Sequence, residues 1–144
     1  MFRSFATQAQ HYFTRQHESI PTDAVVSKAD WRGTDMGDHQ QWHVQLTPDQ
    51  IAEVHSAVLN AKAKSVSQEA LSRETFVLPT LTQTIATWRS QIADGLGFIV
   101  IRGLPVDEWG IEDSSYAYWG LGHHLGVPGA QNPDNELLGH VVDY

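Results

Sequence analysis

"GLGFIVIRGLPVDEW", Gly95 to Trp109, is the stretch on which the fold turns. Phe98-Ile99-Val100-Ile101 is the most hydrophobic β-branched run in the chain, and its length suits a buried strand. It is apolar on both faces, so a strand 98–102 requires neighbours on both edges and cover on both faces. Gly97 opens it, Arg102 ends it on a charge, and Gly103-Leu104-Pro105 turns the chain. A lone strand cannot satisfy its own N–H and C=O groups. The remaining strand signals are weak: Trp42-His43-Val44-Gln45-Leu46 alternates, and "LLGHVV", 137–142, reads as one more.

Helix signals dominate around that strand. Thr47-Pro48-Asp49-Gln50 reads as N-cap, first-turn proline, acid and capping-box glutamine. Ile51, Val54, His55, Val58 and Leu59 follow at helical spacing. Thr80 and Gln83 repeat the grammar for a second helix, whose stripe is Leu81, Ile85, Trp88 and Ile92. Gly95 is its expected C-cap, free to take positive φ. A third helix runs from Ile111 to Leu125, stopped by Gly126 and Pro128, and 127–136 is a polar loop. The expected class is α+β: a helical N-terminal portion, 1–28 an extension, 29–144 the start of a larger domain.

The composition narrows the function. The chain has 144 residues, 41% hydrophobic, with formal net charge -8. It is globular in character, and its acidity argues against a nucleic-acid partner. No apolar run reaches membrane-span length, so no membrane role is expected. There is no cysteine, hence no disulfide, thiolate zinc site or Cys nucleophile. Residues 1–17 carry Arg3 and Arg15 and no acid, with Phe2, Phe5, Ala9, Tyr12 and Phe13 near one helical face. Two readings fit: an ordinary helix lying on the domain, or a mitochondrial transit segment. The compartment read from this is cytoplasmic, with a mitochondrial alternative.

Residues 88–144 match a pattern: a helix, G-x-G-F-x-V-x-R-G-L-P, a helix ending W-x-L-G-x-H-L-G-x-P, then Q-N and L-L-G-H-V-x-D. "ADWRGTDM" and "WHVQLTPDQIAEVHSAV", within 29–58, add a Trp-containing lead-in and first helix. Together these resemble the N-terminal part of the taurine dioxygenase (TauD/TfdA-like) family. The resemblance implies an incomplete jelly-roll of antiparallel strands (a double-stranded β-helix, clavaminate synthase-like), with strand 98–102 in its larger sheet. It also implies that helix 111–125 packs across that sheet, with Gly120 and Gly122 allowing close approach. It further implies Fe(II) and 2-oxoglutarate as cofactors of the full-length protein and hydroxylation of a small organic substrate.

The chemistry that the resemblance implies needs two His and one carboxylate on iron. None of the eight histidines is followed two places on by an acid; those positions hold Phe13, Ser19, Gln41, Gln45, Ala57, Leu125, Gly126 and Val142. No catalytic residue and no metal ligand is therefore assigned, and the chain alone is expected to bind no cofactor and to be inactive. By resemblance, Gln131, Asn132 and His140 line the rim of the substrate pocket. By composition, Gln131-Asn132-Pro133-Asp134 is turn chemistry, and His140 an ordinary core or surface histidine.

Other constellations carry less. His39 and His43 lie at i, i+4 beside Asp35 and Asp38, but Gly33 and Gly37 argue against a helix there. His123 and His124 point to different helix faces. Trp109, Tyr116, Tyr118 and Trp119 have the composition of an aromatic cage, and more commonly form the core of a helix lying on a sheet. A rival of another class remains: a non-catalytic protein that self-associates or binds a partner through the uncovered strand 98–102.

Overall fold

The computed structural model describes residues 3–16, 19, 20, 22–24, 26–37 and 42–139. The chain divides into two compact units, one of Met1–Asp23 with Gly126–Tyr144, the other Ala24–Leu125. The fold is mixed: helices α1 (Phe5–Thr14), α2 (Pro48–Ala63), α3 (Leu81–Asp94) and α4 (Val106–Leu125), with strands β1 (His43–Gln45) and β2 (Val100–Arg102). No helix among the described residues is long and apolar enough to cross a membrane.

In the larger unit, α2 starts as its sequence dictates. Gln50 N–H donates to Thr47 Oγ1 at 3.3 Å, and Thr47 N–H donates to Gln50 Oε1 at 2.9 Å. Val54, Ala57, Val58 and Ala61 form its buried stripe, whereas Leu59, at the edge of the expected stripe, is 51% exposed. On α3, Leu81, Ile85 and Trp88 are buried. With Phe76 and Leu78 from the preceding segment they build the core. Helix α4 packs on α2 and α3 rather than across the sheet. Gly120 is the point of closest approach: a Cβ there would stand 2.5 Å from the Phe76 ring. Gly122 has no such neighbour, with nothing within 4 Å of its Cβ position.

Several local expectations are corrected. Thr80 does not cap α3 with its side chain. The cap comes from α2, where Glu53 Oε1 accepts the N–H groups of Thr80 and Leu81 and Glu53 Oε2 accepts the Thr80 hydroxyl. Gly95 does end α3, but at φ -108. Glycine is required there because a Cβ would lie 2.5 Å from the Gln91 carbonyl oxygen. Positive φ falls instead at Gly97 (86°) and Gly103 (103°). One helical turn, from Val106, precedes the expected start of α4 and breaks at Gly110, φ 69 and ψ 179.

The strand is shorter than 98–102, and its pairing is parallel. His43 sits opposite Val100, Val44 opposite Ile101 and Gln45 opposite Arg102. Parallel pairing demands a long crossover, and the segment containing α2 and α3 provides it. Phe98 and Ile99 lie outside the ladder; the Phe98 ring packs on indoles instead. The strands of the described residues form one two-stranded sheet, and no antiparallel jelly-roll is formed among them.

The smaller unit is held by local polar contacts. Arg3 pairs with Gly129 through an isolated parallel bridge, with Arg3 N–H to Pro128 O at 2.9 Å and Ala130 N–H to Arg3 O at 2.9 Å. None of the residues of α1 is buried; Phe13 is 78% exposed. Leu137–Gly139 is not a strand, and the rest of the expected strand 137–142 lies outside the described residues.

Candidate functional site

The loop of 127–136 is built by its own polar side chains. Asn132 Oδ1 accepts from the N–H groups of Asp134 and Glu136, both at 3.1 Å, and its Nδ2 donates to Glu136 Oε2 at 2.5 Å. Its backbone carbonyl accepts from Asn135 N–H at 3.1 Å. Asn135 stands at φ 64 in the left-handed region, which asparagine tolerates better than most residues. Gln131 is exposed and donates from Nε2 to Gly129 O at 3.0 Å. These bonds are the turn chemistry that the composition indicates. They fix the loop's shape and commit both polar groups of the Asn132 side chain. His140 lies outside the described residues.

The histidines are dispersed. His55 stacks on Trp109, ring centroids 5.0 Å apart and planes 14° from parallel. His43 lies against Trp42 at 3.5 Å, and its Nε2 is buried without a protein partner. His124 donates from Nε2 to Phe76 O at 2.7 Å. His123 meets the edge of Trp119, and burial pushes its pKa below the ordinary value, with the nearby charges of His124 and Arg73 adding to the shift. His39 and Asp38 lie outside the described residues, so the i, i+4 pair with His43 is not described. No three His, Asp or Glu side chains converge on one point among the described residues.

The aromatic residues of α4 do not form a cage. Trp119 is buried at 7% exposure, and Tyr116 hydroxyl donates to Val66 O at 3.0 Å. Tyr118 points outward at 65% exposure, which corrects its expected place in the core.

An aromatic cluster that the sequence did not reveal lies elsewhere. The Phe98 ring packs on two indoles, with centroids 5.1 Å from that of Trp31 and 5.7 Å from that of Trp42. Trp31 is anchored by its Nε1–H, which donates to Leu96 O at 2.9 Å. The cluster lines a cavity of about 620 Å³ at the C-terminal end of α3, with Asp30, Asp35 and Asp94 also in its walls. In the sequence the cluster is marked only by the tryptophans of "ADWRGTDM" and "WHVQLTPDQIAEVHSAV", and neither motif points to Phe98.

No protein-family model matches the chain. Among its curated relatives is taurine hydroxylase-like protein SAT17 of Stachybotrys chartarum, 28% identical over 115 residues, which cover 79% of this chain and 30% of the relative. Another is FR-33289 synthase of Streptomyces rubellomurinus, 24% identical over 120 residues, which cover 83% of this chain and 35% of the relative. The chain spans about a third of the length of these curated relatives.

Proposed function

We propose that residues 29–144 form the N-terminal part of a hydroxylase domain of the taurine dioxygenase (TauD/TfdA-like) family, a reading that the two low-identity relatives support. The whole protein would act on a small organic substrate with Fe(II) and 2-oxoglutarate. The observation that carries this reading is the similarity over about four fifths of the chain to a taurine hydroxylase-like protein.

The residues described here do not fit the metal. The required donors are two imidazoles and a carboxylate. No such trio is assembled among the described residues, and no His-x-Asp or His-x-Glu occurs in the sequence. The chain's part is therefore scaffold and rim. Helix α4 packs on α2 and α3 to form the core, and β1 holds β2 ahead of the Gly103 turn. Gln131, exposed on this loop, offers a hydrogen-bond acceptor to the substrate, and Asn132 sets the shape of the loop that presents it.

Purified 144-residue chain, supplied with Fe(II), 2-oxoglutarate, oxygen and taurine, is expected to release no succinate above the metal blank. A longer protein carrying this segment together with the His-x-Asp and distal His ligands is expected to release it. Succinate from the 144-residue chain alone overturns the scaffold assignment; none from the longer protein with any small organic acid overturns the hydroxylase assignment.

A second reading rests on the open sheet. Among the described residues β1 and β2 pair only with each other, so each retains an unpaired edge. Association of the chain with itself or a partner through 98–102 uses that edge. Light scattering of the purified chain tests self-association: a monodisperse monomer at every concentration counts against it.

A further inference from the structure

We propose that the cavity walled by Trp31, Trp42 and Phe98 binds a small organic ammonium ion. The cavity belongs to the unit Ala24–Leu125, and its volume, about 620 Å³, suits a small ligand. Three independent features of its walls favour positive charge.

The first is aromatic. Two indoles and a phenyl ring gather at one site, with Trp31 held by its bond to Leu96 O while 40% of its surface stays exposed. Indole faces carry the strongest negative quadrupole of any side chain and attract ammonium groups.

The second is ionic. Among the described residues, Asp30, Asp35 and Asp94 line the cavity against a single base, Lys28. None of the three carboxylates has an ion pair among the described residues. Asp35 is fixed in place, its Oδ2 accepting Arg32 N–H at 2.9 Å and its Oδ1 accepting the Thr34 hydroxyl at 3.3 Å.

The third is the end of a helix. Gln91, Asp94 and Gly95 bring the C-terminal turn of α3 into the wall, where the unpaired carbonyls form the negative pole of the helix. That turn carries no base, and Asp94 adds a like charge. A bound cation relieves both. Gln91 Oε1 is buried without a protein partner, and rotation of its amide turns an acceptor toward an N–H or O–H of the ligand.

An organic cation fits better than a metal ion. The walls offer rings and dispersed carboxylates, and no three ligating side chains converge among the described residues. The assignment does not rest on the hydroxylase reading and stands whichever way the succinate assay falls.

The test is a titration of the 144-residue chain with choline, followed through the indole N–H resonances of Trp31 and Trp42, assigned with Trp31→Phe and Trp42→Phe. The neutral isostere 3,3-dimethyl-1-butanol is titrated in parallel at constant ionic strength. Choline is expected to shift both resonances saturably, and the isostere to bind about three- to tenfold more weakly. Asp94→Asn, at an exposed helix end, is expected to weaken choline several-fold with an unchanged circular dichroism spectrum; Asp30→Asn serves if that variant fails to fold. Equal binding of choline and the isostere overturns the proposal, as does the absence of any saturable shift.

Discussion

Glu53 on α2 caps α3: its Oε1 accepts the backbone N–H groups of Thr80 at 2.9 Å and Leu81 at 3.2 Å. A helix start needs acceptors for its first N–H groups, and a carboxylate there also meets the positive pole of the helix. This contact ties α2 to the start of α3 as well as satisfying that helix end. Glu53→Ala is expected to lower stability by about 1–2 kcal/mol, the range of a lost N-cap. Thr80→Val is expected to be milder, because the hydroxyl only donates to Glu53. Urea midpoints of the two variants check the order; a larger loss at Thr80 contradicts it.

Gly120 and Gly122 are expected to diverge on substitution by alanine. At Gly120 the new methyl meets the Phe76 ring at 2.5 Å, and Phe76 is fully buried. Overpacking of that kind costs about 1–3 kcal/mol. Gly122 is exposed in a helix interior with open space around it, so Ala gains roughly 0.5–1 kcal/mol. Thermal unfolding of the pair reads the opposite signs directly.

Lys62 ties α2 to α4 through Asp113 at 2.6 Å and Glu112 at 2.9 Å. The hydrogen bond to Asp113, then that to Glu112, holds its pKa above the ordinary 10.5. A raised lysine pKa contributes stability below the unfolded value and loses it as pH climbs through the alkaline range. Lys62 keeps about 32% of its side chain exposed and Glu112 about 72%, so the contribution is modest and partly salt-screened. Lys62→Met is expected to shift the midpoint slightly at neutral pH and low salt. The difference from wild type should shrink both in 1 M NaCl (Debye length about 3 Å) and above pH 10.5.

His123 supplies the opposite slope. Burial, the largest cause, lowers its pKa below the ordinary 6.5, so the unfolded chain takes up a proton that the folded one resists. Stability from this residue is present above 6.5 and falls as the solution is acidified below it. His123→Asn is expected to lose less melting temperature between pH 7 and pH 5 than wild type. An equal loss in both proteins excludes His123 as a source of the acid sensitivity.

Legibility in the sequence tracked locality. The Thr47–Gln50 box and the stripe Val54, Val58 are written within one helical turn or two, and both stand as read. Glu53 was invisible as a cap because its partners lie far along the chain. Gly95 was recognised as a helix end for the wrong physical reason: the Gln91 carbonyl excludes a Cβ there, while the left-handed residue is Gly97. The β-branched run and the alternation of Trp42–Leu46 both mark strands, and β1 and β2 lie within them; their pairing and its direction are not legible, since apolar content does not encode strand polarity. Phe98 was read as the strand's first residue, and its side chain packs on indoles that precede it by more than fifty positions. At the candidate rim, the composition of Gln131-Asn132-Pro133-Asp134 foretold the turn, which the bonds to Asn132 display.

The parallel register of β1 against β2 also sets an order of events during folding. The two strands meet only after residues 46–99 have closed on themselves, an entropic barrier that three-residue strands do little to offset. Glu53 on α2 meets Thr80 and Leu81 at the start of α3 across about half that sequence separation, so this contact is placed to form first and to bring His43 and Val100 within reach. The sheet is then the last element to form and the first to open, so amide hydrogens of Val100–Arg102 should exchange ahead of those on Val54 and Val58.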